Sequence, residues 1–228
     1  MHRRFFIAFM LALGVCGAPA SAQERIGRAA VIRNDVSQIA PRVTKINVGD
    51  EIFRNETVRT AADSDAKFVL RDDTNLSLGP GSTLKLDRAV FSGETSAGDV
   101  AVKLSTGAFR FVTGNSTKES YKIVTPLATI GVRGTTLDFL LQRFRNIVVL
   151  QDGQARVSAG GQFVDLLFPG DSVIITATGG EIQITRASSP PWTFASACAG
   201  NAALCSRTTF AEAVPEIDID FASALCGK

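Results

Sequence analysis

Short runs of alternating apolar and polar residues, closed by turn-forming residues, fill the middle of this sequence. From about Lys45 to Thr185, runs such as 67–70, 75–78 and 82–86 are separated by Asp-Asp-Thr and Gly-Pro-Gly. A period of two places apolar side chains on one face of a strand, and turn signals about every eight to ten residues interrupt any helical pattern. The chain is therefore predicted to be all-β. It should form a single domain of many short strands, either a β-sandwich or a solenoid-like β-roll, with a short cysteine-bearing C-terminal tail.

Three dipeptides in the second half predict tight turns. Asp152-Gly153, Gly160-Gly161 and Gly179-Gly180 each separate two β-rich runs. Such pairs favour two-residue hairpins, because glycine adopts the positive φ that these turns require.

The N-terminus has the pattern of an export signal. A positive head formed by His2, Arg3 and Arg4 precedes an apolar run at 5–15, and small residues follow at 20–22. This pattern predicts a signal peptide at 1–22 and a periplasmic or secreted protein with no stable membrane span after cleavage. A twin-arginine signal, a lipoprotein signal at Cys16 and an uncleaved anchor are the alternatives.

Removing this segment limits the chemistry of the mature chain. Arg3 and Arg4 are two of the 24 basic residues, so 22 basic residues remain against 22 acidic ones. A neutral chain lacks the electrostatic footprint of nucleic-acid binding. The only histidine, His2, also lies in the segment, which excludes histidine-based nucleophilic catalysis and histidine-ligated zinc. Paired carboxylates could still hydrolyse glycosides, but the acidic residues lie mostly in turns. We therefore predict no enzyme activity, no cofactor and no metal.

Three cysteines remain after the predicted cleavage, all near the C-terminus. In an oxidising compartment, Cys198 and Cys205 are expected to form a disulfide around a short loop. Cys226 would be left over or would pair with another chain. The alternative is reduced, buried thiols.

The end of the tail alternates charged and apolar residues at 216–221. This pattern suits an edge strand, which would complete the protein's own sheet or a partner's, or else an acidic extension. Its carboxylates resemble calcium ligands only loosely, since surface carboxylate runs are usually just solvated.

One arginine interrupts an apolar segment at 124–139. Arg133 lies between Gly131 and Gly134, with Ile130 and Val132 close by. The planar guanidinium group of an arginine has five N–H donors, which can bind several carbonyl oxygens or pair with a carboxylate such as Asp138. We expect a buried, organising arginine, whose replacement would destabilise the domain. A partner-facing arginine is the alternative.

This segment resembles the signature of the FecR domain family. The matching positions run from the Thr-Pro pair to the Gly-Thr pair, and the runs at 48–60, 68–78, 107–111, 148–157 and 169–173 resemble the other strands of that family. The candidate binding or structural motif consists of Thr125, Pro126, Gly131, Arg133, Gly134 and Thr135.

The resemblance implies a periplasmic all-β domain best known from transmembrane sigma-factor regulators, which receive signals from TonB-dependent receptors. Those regulators have a cytoplasmic sigma-binding region and a membrane span before the domain, whereas about twenty residues precede the predicted cleavage site here. The expected organisation is a signal peptide (1–22), an N-terminal lead-in (23–44), a FecR-like domain (45–186) and a C-terminal tail (187–228). The expected function is protein contact in the periplasm, as a non-enzymatic accessory sensor or regulator of envelope or metal-uptake signalling. A cell-wall or polysaccharide-binding or structural module is the alternative; the partner would be an envelope protein or a cell-wall glycan, and not nucleic acid.

Overall fold

The computed structural model describes residues 24–39, 43–88, 100–115 and 121–213. The expected signal peptide, Cys226 and the alternating segment at 216–221 lie outside these ranges. The described strands are β1 (Arg25–Arg33), β2 (Val36–Ile39), β3 (Val43–Lys45), β4 (Glu51–Phe53), β5 (Thr57–Thr60), β6 (Asp65–Leu70), β7 (Asn75–Leu78), β8 (Thr83–Arg88), β9 (Val100–Val112), β10 (Tyr121–Val124), β11 (Thr129–Gln142), β12 (Arg145–Ala159), β13 (Gln162–Leu166), β14 (Ser172–Thr178) and β15 (Glu181–Ala187). A short helix, α1 (Ala195–Gly200), and a 3₁₀ turn (Ala202–Leu204) follow.

All described strands belong to one hydrogen-bonded sheet, which confirms the all-β prediction. Its pairings divide into two halves. The first half-sheet runs in the order β3-β2-β5-β8-β9-β10-β11-β12-β13, and the second runs in the order β4-β1-β6-β7-β9-β11-β12-β14-β15. Each pairing is antiparallel except that of β9 with β10. Three long strands, β9, β11 and β12, take part in both halves.

These long strands change neighbours near their middles. Residues 155–159 of β12 pair with β13, whereas residues 145–149 pair with β14. The change occurs around Gly153, whose φ is +81°, opposite Gly134, whose φ is +59°. A Cβ at Gly153 would lie 2.0 Å from the Gly134 carbonyl oxygen, so the two backbones approach closely at this bend. The expected hairpin at Asp152-Gly153 is therefore wrong, because the positive φ bends one continuous strand instead of reversing the chain.

A single apolar cluster draws side chains from both half-sheets. Val58, Leu84 and Leu104 come from the first half, and Phe68 and Phe139 come from the second; all five are fully buried. Burying such a side chain contributes about 1.5–3 kcal/mol. One apolar core therefore serves both half-sheets, which are continuous through the long strands.

Two predicted hairpins are present. Gly160-Gly161 joins β12 to β13, and Gly179-Gly180 joins β14 to β15, in each case as a two-residue loop. The segment at 23–44, predicted as a lead-in, contains β1 and β2. Strand β1 pairs with both β4 and β6, and its Ile26 and Ala29 are fully buried.

Residues 194–213, which we call the strap, follow β15 and contain both described cysteines. The expected disulfide between Cys198 and Cys205 is present, with the two Cα atoms 5.7 Å apart. Phe194 and Leu204 are buried, although neither belongs to the main apolar cluster.

Candidate functional site

The Thr-Pro end of the motif forms the loop between β10 and β11. Thr125 is buried, and its Oγ1 accepts hydrogen bonds from the Ala128 amide (3.0 Å) and from Nδ2 of Asn146 (3.0 Å). Pro126 is exposed at the tip, where its fixed φ suits a turn. This end of the motif therefore shapes the loop.

The Gly-Thr end of the motif holds the bend of β11. Thr135 is buried; its amide donates to Oγ1 of Thr113 (2.8 Å), and its Oγ1 donates to the Gln154 carbonyl (2.7 Å). The same Oγ1 accepts a hydrogen bond from the Arg133 amide (3.0 Å). One threonine thus ties together two long strands and the residue before the bend, which is a structural role.

Arg133 is exposed, so the expectation of a buried, organising arginine is wrong. Alternation along β11 decides its direction: Ile130 and Val132 enter the core, and Arg133 and Gly131 lie on the opposite face. A Cβ at Gly131 would meet nothing within 4 Å. The glycines therefore open the space beside Arg133 instead of crowding it.

Asp138, the carboxylate considered as a partner of Arg133, belongs to another site. It lies beyond the bend in the second half-sheet and is fully buried. Nε and Nη2 of Arg110 donate to its two oxygens at 2.7 and 2.8 Å.

Next to Arg133, a second arginine is fixed across β12 and β13. Arg156 lies opposite Gly131 on one side and opposite Asp165 on the other. Its Nε and Nη2 donate to the Asp165 carboxylate at 2.6 and 2.9 Å, and its Cζ lies 4.6 Å from the centroid of the Phe163 ring. The hydrogen bonds from Arg156 lower the pKa of Asp165. This pair keeps a cation and an aromatic ring in fixed positions on the surface.

The loop after β13 adds apolar surface. Leu167 and Phe168 are exposed, at 48% and 70%, and Phe163 is 60% exposed. Asp171 accepts hydrogen bonds from the Leu167 and Phe168 amides at 2.8 and 3.1 Å, and these bonds lower its pKa. Arg186 lies 3.3 Å from the same carboxylate. These contacts tie the loop to Asp171 and leave its apolar side chains exposed.

Gly131, Arg133, Gln154, Arg156, Asp165 and Leu167 border a cavity of about 460 Å³, and Phe163 and Phe168 are exposed nearby in the chain. We call this surface the arginine face; its members are Gly131, Arg133, Gln154, Arg156, Phe163, Asp165, Leu167 and Phe168. Within the described part of the chain, the Arg133 guanidinium has no hydrogen-bond or ion-pair partner, whereas that of Arg156 is paired. Such a surface can bind a carboxylate beside an apolar group. In the described ranges, no three His, Cys, Asp or Glu side chains form a group that could hold a metal ion.

Sequence reasoning found Arg133 but missed its neighbours. The alternation in β13 contained a signal: Phe163 shares its face with Asp165, which predicts an aromatic ring in solvent. The position of Arg156 next to Gly131 depends on strand register, and a single sequence does not show it.

Comparison with known proteins identifies the region that contains the motif. Residues 56–159 match the family model described as FecR protein, somewhat under half of the 228-residue chain. No curated protein matches the chain. Two crystal structures of a candidate anti-sigma factor from Parabacteroides distasonis resemble it with TM-scores of 0.47 and 0.46 and identities of 18% and 19%. Each comparison covers 58% of this chain and 60% of that protein, so the chain spans about 60% of its length.

The match begins just before β5 and ends at the last residue of β12. It includes the motif from Thr125 to Thr135, and it leaves β13 and the strap outside. In the described residues, no helix is long and apolar enough to cross a membrane. The similarity to FecR proteins is therefore shown for residues 56–159.

Proposed function

We propose that this chain is an exported, non-enzymatic FecR-domain protein that acts by protein contact in the periplasm. It serves as an accessory sensor or regulator of envelope or metal-uptake signalling. The FecR domain supports a signalling or regulatory role. The signal-peptide pattern at 1–22 supports export, and a single histidine within that pattern supports the absence of catalysis.

The observation on which the proposal depends is the exposure of Arg133. In the motif that resembles the FecR signature, Thr125 and Thr135 form hydrogen bonds with backbone groups, whereas the Arg133 side chain projects from the sheet into solvent. A charged side chain that the fold does not use for its own hydrogen bonds is available for another molecule.

The arginine face also indicates the chemistry of the partner. The Arg156 guanidinium lies over the exposed ring of Phe163, and Arg133 and Leu167 border the same cavity as Arg156. A protein segment with an aspartate or glutamate next to an apolar residue would fit this surface, since the carboxylate would pair with Arg133 and the apolar group would cover the ring.

Site-specific crosslinking in cells tests this proposal. A photo-crosslinking amino acid replaces Phe163 in the full chain, and the captured protein and its crosslinked peptide are identified by mass spectrometry. We expect one envelope protein, joined through a peptide that contains an acidic residue, and we expect Arg133→Ala to reduce its yield at least fivefold.

Val43 provides the matched control, because it is exposed and apolar but lies on β3 at the other edge of the first half-sheet. Equal capture from positions 43 and 163, or capture insensitive to Arg133→Ala, would contradict the proposal. Retention of the protein on purified peptidoglycan sacculi without protein capture would instead favour a wall-binding module.

A further inference from the structure

The outer face of the second half-sheet has a row of polar side chains beneath the strap. Strand register aligns Lys67 of β6, Ser77 of β7, Arg110 of β9 and Asp138 of β11. Lys67, Ser77 and Asp138 are at most 2% exposed. A lysine is rarely buried so completely unless it is paired. We call these four residues, with Asn75, the covered row.

Lys67 binds the strap through its ammonium group. Nζ donates to the Ala203 carbonyl (3.1 Å), to the Ser206 carbonyl and to Oγ1 of Thr208 (2.6 Å). These acceptors lie about 140 residues further along the chain. Backbone carbonyls and hydroxyl groups of the strap thus together compensate for burying this charge.

Two neutral residues of the row also bind the strap backbone. Asn75 donates to the Thr208 carbonyl (2.9 Å) and accepts from the Thr208 amide (3.0 Å), as a paired strand residue would. Ser77 donates to the Leu204 carbonyl at 2.5 Å. Because these bonds involve main-chain atoms, they would form with many sequences whose backbone has the same shape, including the 3₁₀ turn at Ala202–Leu204.

At the other end of the covered row, the first residue of the strap contacts the ion pair between Arg110 and Asp138. The Phe194 amide donates to Asp138 (2.9 Å), and Cζ of Arg110 lies 5.8 Å from the centroid of the Phe194 ring. Asp138 would still have its bonds from Arg110 and from Gln151 without the strap. The row would therefore tolerate exposure to water, unlike an apolar core.

The disulfide fixes the segment that these residues bind. Ala203 and Leu204 lie inside the loop closed by Cys198 and Cys205, and Ser206 follows it directly. Both cysteines are only half-buried, so a thiolate can approach the bond. Closing the loop reduces the conformational entropy that the strap would gain on release.

We propose that the covered row is a peptide-binding surface whose resident ligand is the strap, and that reduction of the Cys198–Cys205 disulfide frees the surface for a peptide of another protein that adopts the same backbone shape. The reduction consumes one dithiol. The S–S bond accepts two electrons and two protons to give two cysteine thiols, and the dithiol is oxidised to a disulfide. This surface lies on the second half-sheet, so the inference does not depend on the function proposed for the arginine face.

Hydrogen exchange of the full mature chain tests the release. The Phe210 amide donates to Oδ1 of Asp73 at 2.7 Å. We expect reduction to lower the protection of the Phe194, Thr208 and Phe210 amides at least tenfold, while the amides pairing β12 with β14 remain unchanged. Unchanged protection in the strap would overturn the proposal. An equal loss of amide protection in the strap and in the sheet would also overturn the proposal, because the strap could then not be released without unfolding the sheet.

Peptide binding tests the surface itself. The probe is a fluorescent synthetic peptide of residues 190–213 with its disulfide formed, and Cys226→Ser in every protein prevents exchange. We expect at least tenfold tighter binding to the full chain with Cys198→Ser and Cys205→Ser than to the chain with the disulfide. Ser77→Ala and, separately, Lys67→Met in the cysteine-free chain should each weaken binding. Equal or absent binding in both chains, or binding that neither substitution affects, would refute the peptide-binding surface.

Discussion

Two cations of this protein lie in opposite environments. Arg133 projects from the first half-sheet, whereas Lys67 is buried on the outer face of the second. Both are outward-facing in their strands, since each alternates with core residues. The strap covers the outward face at Lys67, whereas the outward face at Arg133 meets solvent. This difference determines how each residue affects stability.

Replacement of Arg133 by alanine should leave the melting temperature nearly unchanged. An exposed side chain without a partner in the described part of the chain contributes within about 0.5 kcal/mol to the free energy of unfolding. Thermal denaturation followed by circular dichroism measures this. Arg59→Ala is the matched control, because Arg59 is an exposed strand arginine on β5. A loss of several degrees in Arg133→Ala alone would mean that the side chain supports the fold.

Lys67 should give the protein a pH-dependent stability. Burial lowers the pKa of Lys67 to about 8 from its ordinary 10.5, although nearby Glu212 raises it. Between about pH 8 and 10.5 the unfolded chain therefore binds more protons than the folded chain, so the free energy of unfolding should rise with pH. Urea denaturation of the wild type and of Lys67→Met at pH 7, 9 and 10.5 isolates this contribution. Identical pH profiles for the two proteins would contradict it.

Among the structural elements, the bent strands place the strictest demand on the sequence. Strands β11 and β12 cross between the half-sheets at Gly134 and Gly153, where one backbone lies against the other. The bend directs Arg133 to one side and Asp138 to the other. A side chain at Gly153 would force the strands apart, whereas a Cβ at Gly134 would meet nothing within 4 Å.

Gly153→Ala should therefore destabilise the protein by about 3 kcal/mol or more, because strain at positive φ adds to overlap with a backbone carbonyl. Gly161→Ala is the control. Its φ of +77° is similar to the +81° of Gly153, but a Cβ there would meet nothing within 4 Å. The control should cost only about 1 kcal/mol, since only the φ strain remains. Urea denaturation measures both values, and equal costs would show that the close approach does not matter.

At the scale of the whole molecule, the shared strands should make the two half-sheets unfold together. Trp192, the only tryptophan, lies two residues before the strap, with its ring centroid 6.3 Å from that of Phe194 in the strap. Its fluorescence therefore reports on the strap, whereas far-ultraviolet circular dichroism reports on the sheet.

In the oxidised protein, we expect both signals to change in one urea transition. After reduction, the fluorescence midpoint should move to lower urea while the dichroism transition remains single. Two steps in the dichroism of the oxidised protein would show that the half-sheets unfold separately, contrary to the shared core.

Local patterns in the sequence predicted much of the fold. Alternation and turn residues predicted strands, and glycine pairs predicted the hairpins at 160–161 and 179–180. The same reasoning failed at Gly153, because a positive φ is compatible with either a hairpin or a bend, and the choice depends on the neighbouring strands. For the candidate site, the motif identified Arg133 but not its exposure.

The sequence by itself therefore determined the strand class, the disulfide and the FecR motif, because these depend on periodicity, on spacing and on residues close together in the chain. The tertiary structure alone decided which outward-facing residues meet water. Alternation places Arg133 and Lys67 on outer faces equally well. Only the packing of the strap, more than 120 residues beyond β6 in the chain, buries Lys67. Burial depends on contacts between segments that are distant in the chain, and a local sequence pattern does not predict such contacts.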